Sequence, residues 1–370
     1  MTHYDNVIVG GGLAGGMIAQ SYREAGGQES VLVVGREAHS PYHRPPLTKE
    51  FLRGEKPVEE LSMHTPQEWR EMGVELRLST EVTSIDPGAN TVELADGERV
   101  EFGRMALATG STPRTLPGTV PIRVIEDSQL VGALLQKGGS LGVIGGGFIG
   151  VEAAASARMK GLDVTIVAPE PVLWSHLFGE QVAGYFQGQL ESHGVRVING
   201  ATELPEGHYD LILAGIGVTP NIDLAKAAGI ATDKGVLTDE WLVAVPGVWA
   251  AGDIAEYQSV IHGRRIRIEH WDVALNQGDY IGRCWAGTED GPYKVVPYFF
   301  SDLADWTWME YVGPGSPDDS VDLRGSMDDD DFVAYYSDGQ GRLTACLGVN
   351  RSDEVNAAKE LIAEGGGVPA

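Results

Sequence analysis

Two glycine-rich segments have the spacing G-x-G-x-x-G, and each lies between a strand-like run and a helix-like run. In such a turn the first glycine forms the bend, the second lets the backbone approach a pyrophosphate, and the third lets the helix pack on the strand. The unpaired N–H groups at the helix N-terminus then face the phosphates with a partial positive charge. The sequence therefore predicts two dinucleotide-binding turns, the first containing Gly10, Gly12, Leu13, Ala14 and Gly15 and the second containing Gly145, Gly147, Phe148, Ile149 and Gly150.

A carboxylate follows the second strand of each motif. Glu37 lies 22 residues after Gly15, and Glu170 lies 20 residues after Gly150. A carboxylate in this region accepts hydrogen bonds from ribose hydroxyls and repels a 2′-phosphate. Because no Arg or Lys lies in the strand end 168–170, Glu170 predicts NADH rather than NADPH at the second turn.

The elements around these turns predict an α/β fold with two Rossmann-like dinucleotide-binding domains and a C-terminal α+β domain. The strand–turn–helix–strand pattern of residues 6–34 is repeated at 141–167, which indicates a duplicated domain. Alternating apolar positions between 73 and 102 predict strands joined by turns. The predicted boundaries are 1–112 together with 236–290 for the first domain, 113–235 for the second and 291–370 for the third, where the acidic run 328–331 is expected to be a solvated loop.

Composition excludes several classes of partner and site. The net charge of −26, from 27 basic and 53 acidic residues, disfavours binding to nucleic acid and to anionic membranes. The two cysteines, Cys284 and Cys346, form no C-x-x-C, so neither a dithiol redox centre nor a cysteine zinc site is expected, and the histidines show no metal-binding spacing. The N-terminus has no leader pattern and no run is long enough to span a bilayer, which predicts a cytoplasmic location.

Three further segments carry a family resemblance. They are Pro41-Tyr42-His43-Arg44-Pro45-Pro46-Leu47-Thr48-Lys49, Ala108-Thr109-Gly110 and Ala251-Gly252-Asp253. With the two glycine-rich turns, they resemble the FAD/NAD-linked reductases that lack a redox disulfide, which include ferredoxin and rubredoxin reductases, monodehydroascorbate reductase and apoptosis-inducing factor. The resemblance implies FAD in the first domain and NADH in the second, with hydride passing from the nicotinamide to the flavin.

The resemblance also implies cofactor contacts outside the glycine-rich turns. Phe300 stands where the family commonly has Trp, and Arg36, just before Glu37, stands where an acidic residue is common. The implied FAD contacts are Glu37, Arg44, Lys49, Val82, Ala108, Thr109, Gly110, Arg114, Gly252, Asp253, His270, Trp271 and Phe300. The implied NAD contacts are Glu152, Glu170, Gly217, Glu269 and Glu310.

Lys49 and Glu152 are the predicted catalytic residues. The resemblance implies that they form an ion pair beside the flavin N5. A lysine there stabilises negative charge that develops on the reduced flavin, while the carboxylate orients the lysine and lines the nicotinamide slot.

The resulting functional prediction is an NADH-dependent reductase, monomeric or homodimeric, that passes single electrons to a [2Fe–2S] ferredoxin or rubredoxin and so feeds a monooxygenase or dioxygenase. Two alternatives stay open: a reductase of a small acceptor such as a quinone or monodehydroascorbate, and an NADH-responsive redox sensor similar to apoptosis-inducing factor. An acidic ferredoxin would require a local basic surface on this acidic chain. Arg264, Arg265 and Arg267 form the densest basic cluster and are the candidate docking residues.

Overall fold

The computed structural model describes residues 2–369, which form two compact units. The first unit extends to Arg44 and includes Leu61–Thr112 and Thr219–Val295. The second comprises Pro45–Glu60, Pro113–Val218 and the described chain from Val296 onward. Two segments differ from the predicted boundaries. Residues 45–60, predicted in the first domain, pack in the second unit, and residues 219–235, predicted in the second domain, pack in the first unit.

Eight α-helices occur in the described chain, and short 3-10 turns lie at Pro45–Thr48, Val58–Leu61 and Gly252–Ile254. The helices are α1 (Leu13–Glu24), α2 (Pro66–Glu71), α3 (Ile125–Lys137), α4 (Phe148–Met159), α5 (Ser175–Ser192), α6 (Asp223–Ala227), α7 (Trp271–Ala286) and α8 (Ser352–Glu364).

The described chain also contains 22 β-strands. They are β1 (Thr2–Val9), β2 (Val31–Val34), β3 (Val74–Arg77), β4 (Val82–Asp86), β5 (Thr91–Leu94), β6 (Arg99–Leu107), β7 (Ser111–Pro113), β8 (Ser140–Ile144), β9 (Asp163–Ala168), β10 (Arg196–Asn199), β11 (Leu211–Ala214), β12 (Val218–Pro220), β13 (Val236–Thr238), β14 (Val243–Val245), β15 (Val248–Ala250), β16 (Ala255–Ser259), β17 (Arg264–Ile266), β18 (Tyr298–Leu303), β19 (Thr307–Val312), β20 (Ser320–Ser326), β21 (Asp331–Ser337) and β22 (Leu343–Val349).

The first unit is built on a parallel sheet with the strand order β15-β6-β1-β2-β3, extended by antiparallel β14. Strands β4, β5 and β6 form an antiparallel meander. All four residues of β2 and the last four of β1 are buried, as expected where helices and loops cover both faces of a parallel sheet. Helices α1 and α7 pack so closely that Gly278 and Gly282 must lack a side chain. A Cβ atom at either position would lie only 2.6 Å from a carbonyl oxygen of α1.

The second unit contains two sheets. The parallel sheet has the order β10-β9-β8-β11, and the five-stranded antiparallel sheet has the order β18-β19-β22-β21-β20, with α8 packed on β22 and β19. Only turns and bends connect β10 to β11, so this parallel sheet lacks the meander of the first unit. The predicted fold class, two Rossmann-like α/β folds and a C-terminal α+β region, is confirmed.

The acidic run 328–331 is not simply a solvated loop, so that prediction is wrong for two of its four residues. Asp328 and Asp329 are exposed in a turn. The Oδ1 atom of Asp330, however, accepts hydrogen bonds from the Tyr185 hydroxyl at 2.7 Å and from Gln189 Nε2 at 3.1 Å. Asp331 begins β21 and forms a two-point ion pair with Arg351. The charge pattern alone did not reveal these partners because they lie in α5 and just before α8.

Candidate active site

The first glycine-rich turn joins β1 to α1, and its first and third glycines are required by packing. A Cβ atom on Gly10 would lie 2.1 Å from the Ala108 carbonyl oxygen, and one on Gly15 would lie 2.0 Å from the Gly10 carbonyl oxygen. Gly12 differs, because its nearest neighbour would be Arg44 Nη2 at 3.8 Å. Gly12 is also the N-cap of α1 and no side chain caps the helix. The turn therefore leaves room and backbone N–H groups for a phosphate.

Several predicted FAD contacts gather around this turn in the first unit. A Cβ atom on Gly252 would lie 3.3 Å from that of Ala14. Arg44 Nη2 donates to Glu37 Oε1 at 2.6 Å, and the Tyr42 hydroxyl donates to Glu37 Oε2 at 2.6 Å. Asp253 is close enough to act electrostatically on both Arg44 and His270. The open turn, the carboxylate of Glu37 and the Arg44 guanidinium fit a dinucleotide with a pyrophosphate and a ribose.

Asn221 holds the segment that contains Thr109 and Gly110. Its Nδ2 donates to the Thr109 carbonyl at 2.9 Å, and its backbone N–H donates to the Gly110 carbonyl at 2.9 Å. The hydroxyls of Thr109 and Thr112 donate back to the carbonyl oxygen and Oδ1 of Asn221 at 2.7 and 2.8 Å. No local sequence pattern indicated Asn221, because its partners lie more than 100 residues away.

His270 and Trp271 begin α7. His270 is the N-cap residue, and burial lowers the pKa of its imidazole to about 4 although Asp253 acts in the opposite direction. The Trp271 Nε1–H group donates to His43 Nδ1 at 3.1 Å. The first unit thus places the imidazole of His270, a predicted FAD contact that is neutral at physiological pH, at the start of a helix.

The second glycine-rich turn joins β8 to α4 in the second unit and packs on Gly215. A Cβ atom on Gly145 would lie 2.5 Å from the Gly215 carbonyl oxygen, and one on Gly147 would lie 2.8 Å from the same atom. Gly147 is the N-cap of α4 and no side chain caps that helix. Phe148 packs on Trp174 and Phe299, with ring centroids 4.7 and 5.1 Å apart. Ile149 is 43% exposed, so an apolar side chain is available at the mouth of this turn.

Glu170 lies beside this turn. A Cβ atom on Gly146 would lie 3.5 Å from Glu170 Oε2. That oxygen is buried and has no hydrogen-bond partner among residues 2–369, while Oε1 lies 4.0 Å from His176 Nδ1. A buried carboxylate oxygen without a donor is costly, and a ribose hydroxyl bound at this turn would satisfy it.

Lys49 lies at the centre of a buried charged cluster in the second unit. Its Nζ atom contacts Asp302 Oδ1 and lies 3.4 Å from Glu152 Oε1. Lys49 is 4% exposed and Glu152 is 6% exposed. The ammonium also lies 4.7 Å from the centre of the Phe300 ring, a distance at which a cation is attracted to an aromatic face. The structure thus brings together Lys49 and Glu152, which the resemblance paired, and adds Phe300 and Asp302.

Two hydroxyl groups hold the Glu152 carboxylate. The Ser301 hydroxyl donates to Oε1 and the Thr48 hydroxyl donates to Oε2, each at 2.6 Å. Burial raises the pKa of Glu152, and the opposing effect of Lys49 does not cancel it. Burial acts to lower the pKa of Lys49, but Glu152 and Asp302 together outweigh it and the pKa is raised. Lys49 therefore keeps its charge, because one ammonium is shared by two carboxylates.

Thr48, Ser301 and Asp302 were not predicted as members of this cluster, although each lies within two residues of a predicted site residue. Thr48 precedes Lys49, and Ser301 and Asp302 follow Phe300. Their position close to Lys49 or Phe300 was the sequence signal that could have indicated these hydroxyl and carboxylate side chains.

The remaining predicted cofactor contacts either lie outside the two glycine-rich turns and the Lys49 cluster or already form hydrogen bonds or ion pairs with other residues. Val82 begins β4 in the meander of the first unit. In the second unit, the Arg114 backbone N–H donates to the Gly217 carbonyl at 2.9 Å. Glu310 accepts a hydrogen bond from Tyr298 at 3.0 Å and contacts the Ser352 hydroxyl. Glu269 contacts Arg267 Nη1 in the first unit.

The basic cluster at 264–267 is only partly available for docking. Arg265 Nη1 donates to the carbonyl oxygens of Thr238 and Glu256 at 2.7 and 3.0 Å, so this side chain ties β17 to β13 and β16. Arg267 Nη1 donates to the Asp253 carbonyl at 2.9 Å. Arg264 is exposed at the start of β17 and is the better docking candidate of the three.

His262, in the hairpin between β16 and β17, makes folding stability sensitive to acid. Burial, reinforced by Arg264, lowers its pKa from the ordinary 6.5 to about 4. Between these two pH values, the imidazole binds more protons in the unfolded chain than in the folded chain. The contribution of His262 to the free energy of unfolding is therefore fully present above about pH 6.5 and is lost as pH falls toward 4. The loss is at most about 3 kcal/mol. We expect His262→Gln to flatten the decrease in thermal midpoint between pH 7 and 5, whereas His208→Gln, at an 82% exposed side chain, should not; equal slopes in the two variants would contradict this.

Two negative findings apply to residues 2–369. No group of three or more His, Cys, Asp or Glu side chains in this range is arranged to hold a metal ion. In the same range, every helix is too short or too polar to cross a bilayer. Cys284 and Cys346 are free thiols.

Comparison with known proteins identifies the family. The model of the pyridine nucleotide-disulphide oxidoreductase family matches residues 4–278. The chain belongs to this family. The reductase C-terminal family model matches residues 298–370. Membership confirms the predicted resemblance and makes the chain an oxidoreductase, and the family implies FAD and a pyridine nucleotide as cofactors, which the two open glycine-rich turns fit.

The curated relatives cover nearly the whole chain. The putidaredoxin reductase of Pseudomonas putida is 33% identical over 98% of this chain and 93% of that protein. The ferredoxin–NAD(+) reductase component of the anthranilate 1,2-dioxygenase system of Burkholderia cepacia is 31% identical over 97% and 94%. A monodehydroascorbate reductase of Cucumis sativus is 30% identical over 86% of each chain.

Solved structures agree with this assignment. The reductase chain in the covalent complex of putidaredoxin reductase with putidaredoxin is 30% identical, with a TM-score of 0.91 over 99% of this chain and 94% of that chain. A ferredoxin reductase from Rhodopseudomonas palustris is also 30% identical, with a TM-score of 0.92 over 98% and 96%. The fold of this oxidoreductase is therefore that of the ferredoxin reductases.

Proposed function

We propose that this oxidoreductase transfers hydride from NADH to FAD and then passes single electrons to a [2Fe–2S] ferredoxin of an oxygenase system. The observation that carries the proposal is the buried ammonium of Lys49, held charged by two carboxylates in a chain whose full-length relatives include ferredoxin–NAD(+) reductases. FAD supplies the chemistry that links a two-electron donor to a one-electron acceptor. The two cysteines are not in a C-x-x-C motif, so a redox dithiol has no part in the proposed reaction.

FAD is assigned to the first glycine-rich turn. The uncapped N-terminus of α1 and the space above Gly12 would receive the pyrophosphate. Glu37, held by Tyr42 and Arg44, would accept hydrogen bonds from ribose hydroxyls. The other FAD contacts inferred from the resemblance remain part of this proposal, including Val82, Arg114 and His270.

NADH is assigned to the second glycine-rich turn. The buried, unpartnered Oε2 atom of Glu170 would accept a hydrogen bond from the 2′-hydroxyl of the adenosine ribose. The same carboxylate would repel a 2′-phosphate, which supports NADH over NADPH. His176 Nδ1, 4.0 Å from the other oxygen, would help to hold the carboxylate.

Lys49 and Glu152 are assigned to the reaction centre. The ammonium of Lys49 would stabilise negative charge where it develops during hydride transfer, in a site from which water is largely excluded. Glu152 positions this ammonium and is itself fixed by the hydroxyls of Thr48 and Ser301. Both carboxylate oxygens of Glu152 are thus engaged, which restricts its rotation and keeps the ammonium in one place.

The proposal is tested by anaerobic mixing of the purified, FAD-loaded protein with NADH, then by addition of a [2Fe–2S] ferredoxin. We expect rapid bleaching of the flavin spectrum by NADH, slower bleaching by NADPH, and rapid reoxidation by ferredoxin. Bleaching that a quinone reverses but ferredoxin does not would assign the protein to the small-acceptor reductases. Absence of bleaching with both nucleotides would overturn the proposal.

Arg264 provides a test of ferredoxin docking. Charge reversal of an exposed residue at an electrostatic interface mainly slows association, so we expect Arg264→Glu to raise the KM for ferredoxin roughly 3-fold and to leave NADH-to-dye activity unchanged. The effect should shrink as salt is added. Arg70→Glu, at an exposed position in α2, is the matched charge reversal. If both variants have the wild-type KM, the 264–267 segment does not dock the acceptor.

A further inference from the structure

The Lys49 ammonium has two carboxylate partners with different surroundings. Its Nζ atom contacts Asp302 directly, whereas Glu152 Oε1 is 3.4 Å away, beyond the 2.7–2.9 Å of a strong charge-assisted hydrogen bond. Glu152 is supported by hydroxyl donors at both oxygens. Asp302 is 29% exposed at its side chain, near the end of β18. One buried ammonium therefore lies between two carboxyl groups that differ in exposure and in hydrogen bonding.

We infer that Asp302 is a positioning residue that shares the Lys49 ammonium with Glu152, and that its charge limits how strongly this ammonium stabilises the reduced flavin. The inference rests on the proposed function, because it places Lys49 at the flavin. A carboxylate in direct contact with an ammonium offsets much of its field. Removal of the carboxylate charge exposes that field to any negative charge that develops nearby.

The pattern of pKa shifts agrees with this arrangement. The pKa of Lys49 is raised although burial acts to lower it, and Asp302 contributes to the rise together with Glu152. Asp302 also adds to the rise in the pKa of Glu152 that burial causes. Asp302 thus acts on both Lys49 and Glu152, as expected for charged groups that lie close together.

The functional test is the midpoint potential of the bound FAD, measured by equilibration with a redox dye. We expect Asp302→Asn to raise this potential, because the two electrons then enter a more positive site. Asp302→Glu, which keeps the charge, should remain closer to wild type. The matched control is Asp305→Asn, which removes a carboxylate from an exposed turn three residues away. A wild-type potential in FAD-loaded Asp302→Asn, or an equal rise in Asp305→Asn, would overturn the inference.

A second test follows urea unfolding of the FAD-loaded wild type, Asp302→Asn, Glu152→Gln and the double variant. Each single variant leaves Lys49 one anionic partner, whereas the double variant leaves a buried ammonium without one. We expect the double variant to lose more stability than the sum of the single losses. Additive losses would contradict a shared ammonium. This cycle does not depend on NADH, so a wild type that NADH fails to bleach would refute the proposed function and leave the cycle interpretable.

Discussion

Lys49→Met is expected to slow bleaching of the FAD by NADH by about 10²- to 10³-fold, the loss typical of removing one preorganised group that stabilises developing charge. Methionine has a similar length and no charge. Without the ammonium, Glu152 and Asp302 would leave only negative charge at a position where negative charge develops. The rate is measured in a single turnover with FAD-saturated protein, so that a change in FAD affinity does not enter the result.

The control for this variant is Lys137→Met. Lys137 is the last residue of α3 and is exposed, so this change removes the same charge from the same unit without touching the cluster. Its bleaching rate should equal that of wild type. A wild-type rate in Lys49→Met would remove Lys49 from the catalytic residues and would leave the buried cluster with a structural role only.

Glu170→Gln is expected to lower kcat/KM for NADH by about 10- to 100-fold, since a hydrogen bond to a charged group contributes about 1.5–3 kcal/mol. The amide keeps the size of the side chain but no longer repels a 2′-phosphate. The value of kcat/KM for NADPH should therefore stay constant or rise. The ratio of the two values, measured at one pH and one salt concentration, gives the change in coenzyme preference.

The matched control for Glu170→Gln is Glu180→Gln, which removes the same charge from an exposed position in α5. The loss of one carboxylate from this acidic chain weakly favours any anionic coenzyme, and the control measures that general effect. If Glu170→Gln and Glu180→Gln have the same NADH-to-NADPH ratio, Glu170 does not determine the preference, and the unpartnered oxygen beside Gly146 has another explanation.

Local sequence spacing predicted the glycine-rich turns and the fold class. Each turn depends on residues within a few positions of one another, and the required close contacts of Gly10, Gly15 and Gly145 follow from that local geometry. The repeated strand–turn–helix–strand pattern predicted two Rossmann-like domains, and the structure has a parallel sheet in each unit. Membership in an oxidoreductase family agrees with the residues that carried the resemblance.

Packing between distant segments decided the composition of the charged cluster. Ser301 and Glu152, which share a hydrogen bond, are separated by 149 residues, and Thr48 and Glu152 by 104. Such contacts exist only after β18, α4 and the turn at 45–48 have packed together. Sequence and resemblance paired Lys49 with Glu152, but they gave no reason to expect Asp302 as a direct partner.

The same difference between local and distant contacts explains why the structure changed the interpretation of two charged segments, the arginines at 264–267 and the aspartates at 328–331. A run of arginines or aspartates in a sequence suggests solvent exposure, because isolated charges are costly to bury. Arg265 and Asp330 nevertheless have partners on neighbouring elements, the carbonyl oxygens of Thr238 and Glu256 and the side chains of Tyr185 and Gln189. The sequence by itself determined the two glycine-rich turns between strand and helix, because their geometry depends on neighbouring residues. Only the tertiary structure decided which charges are shared, since their partners come from segments far apart in the chain.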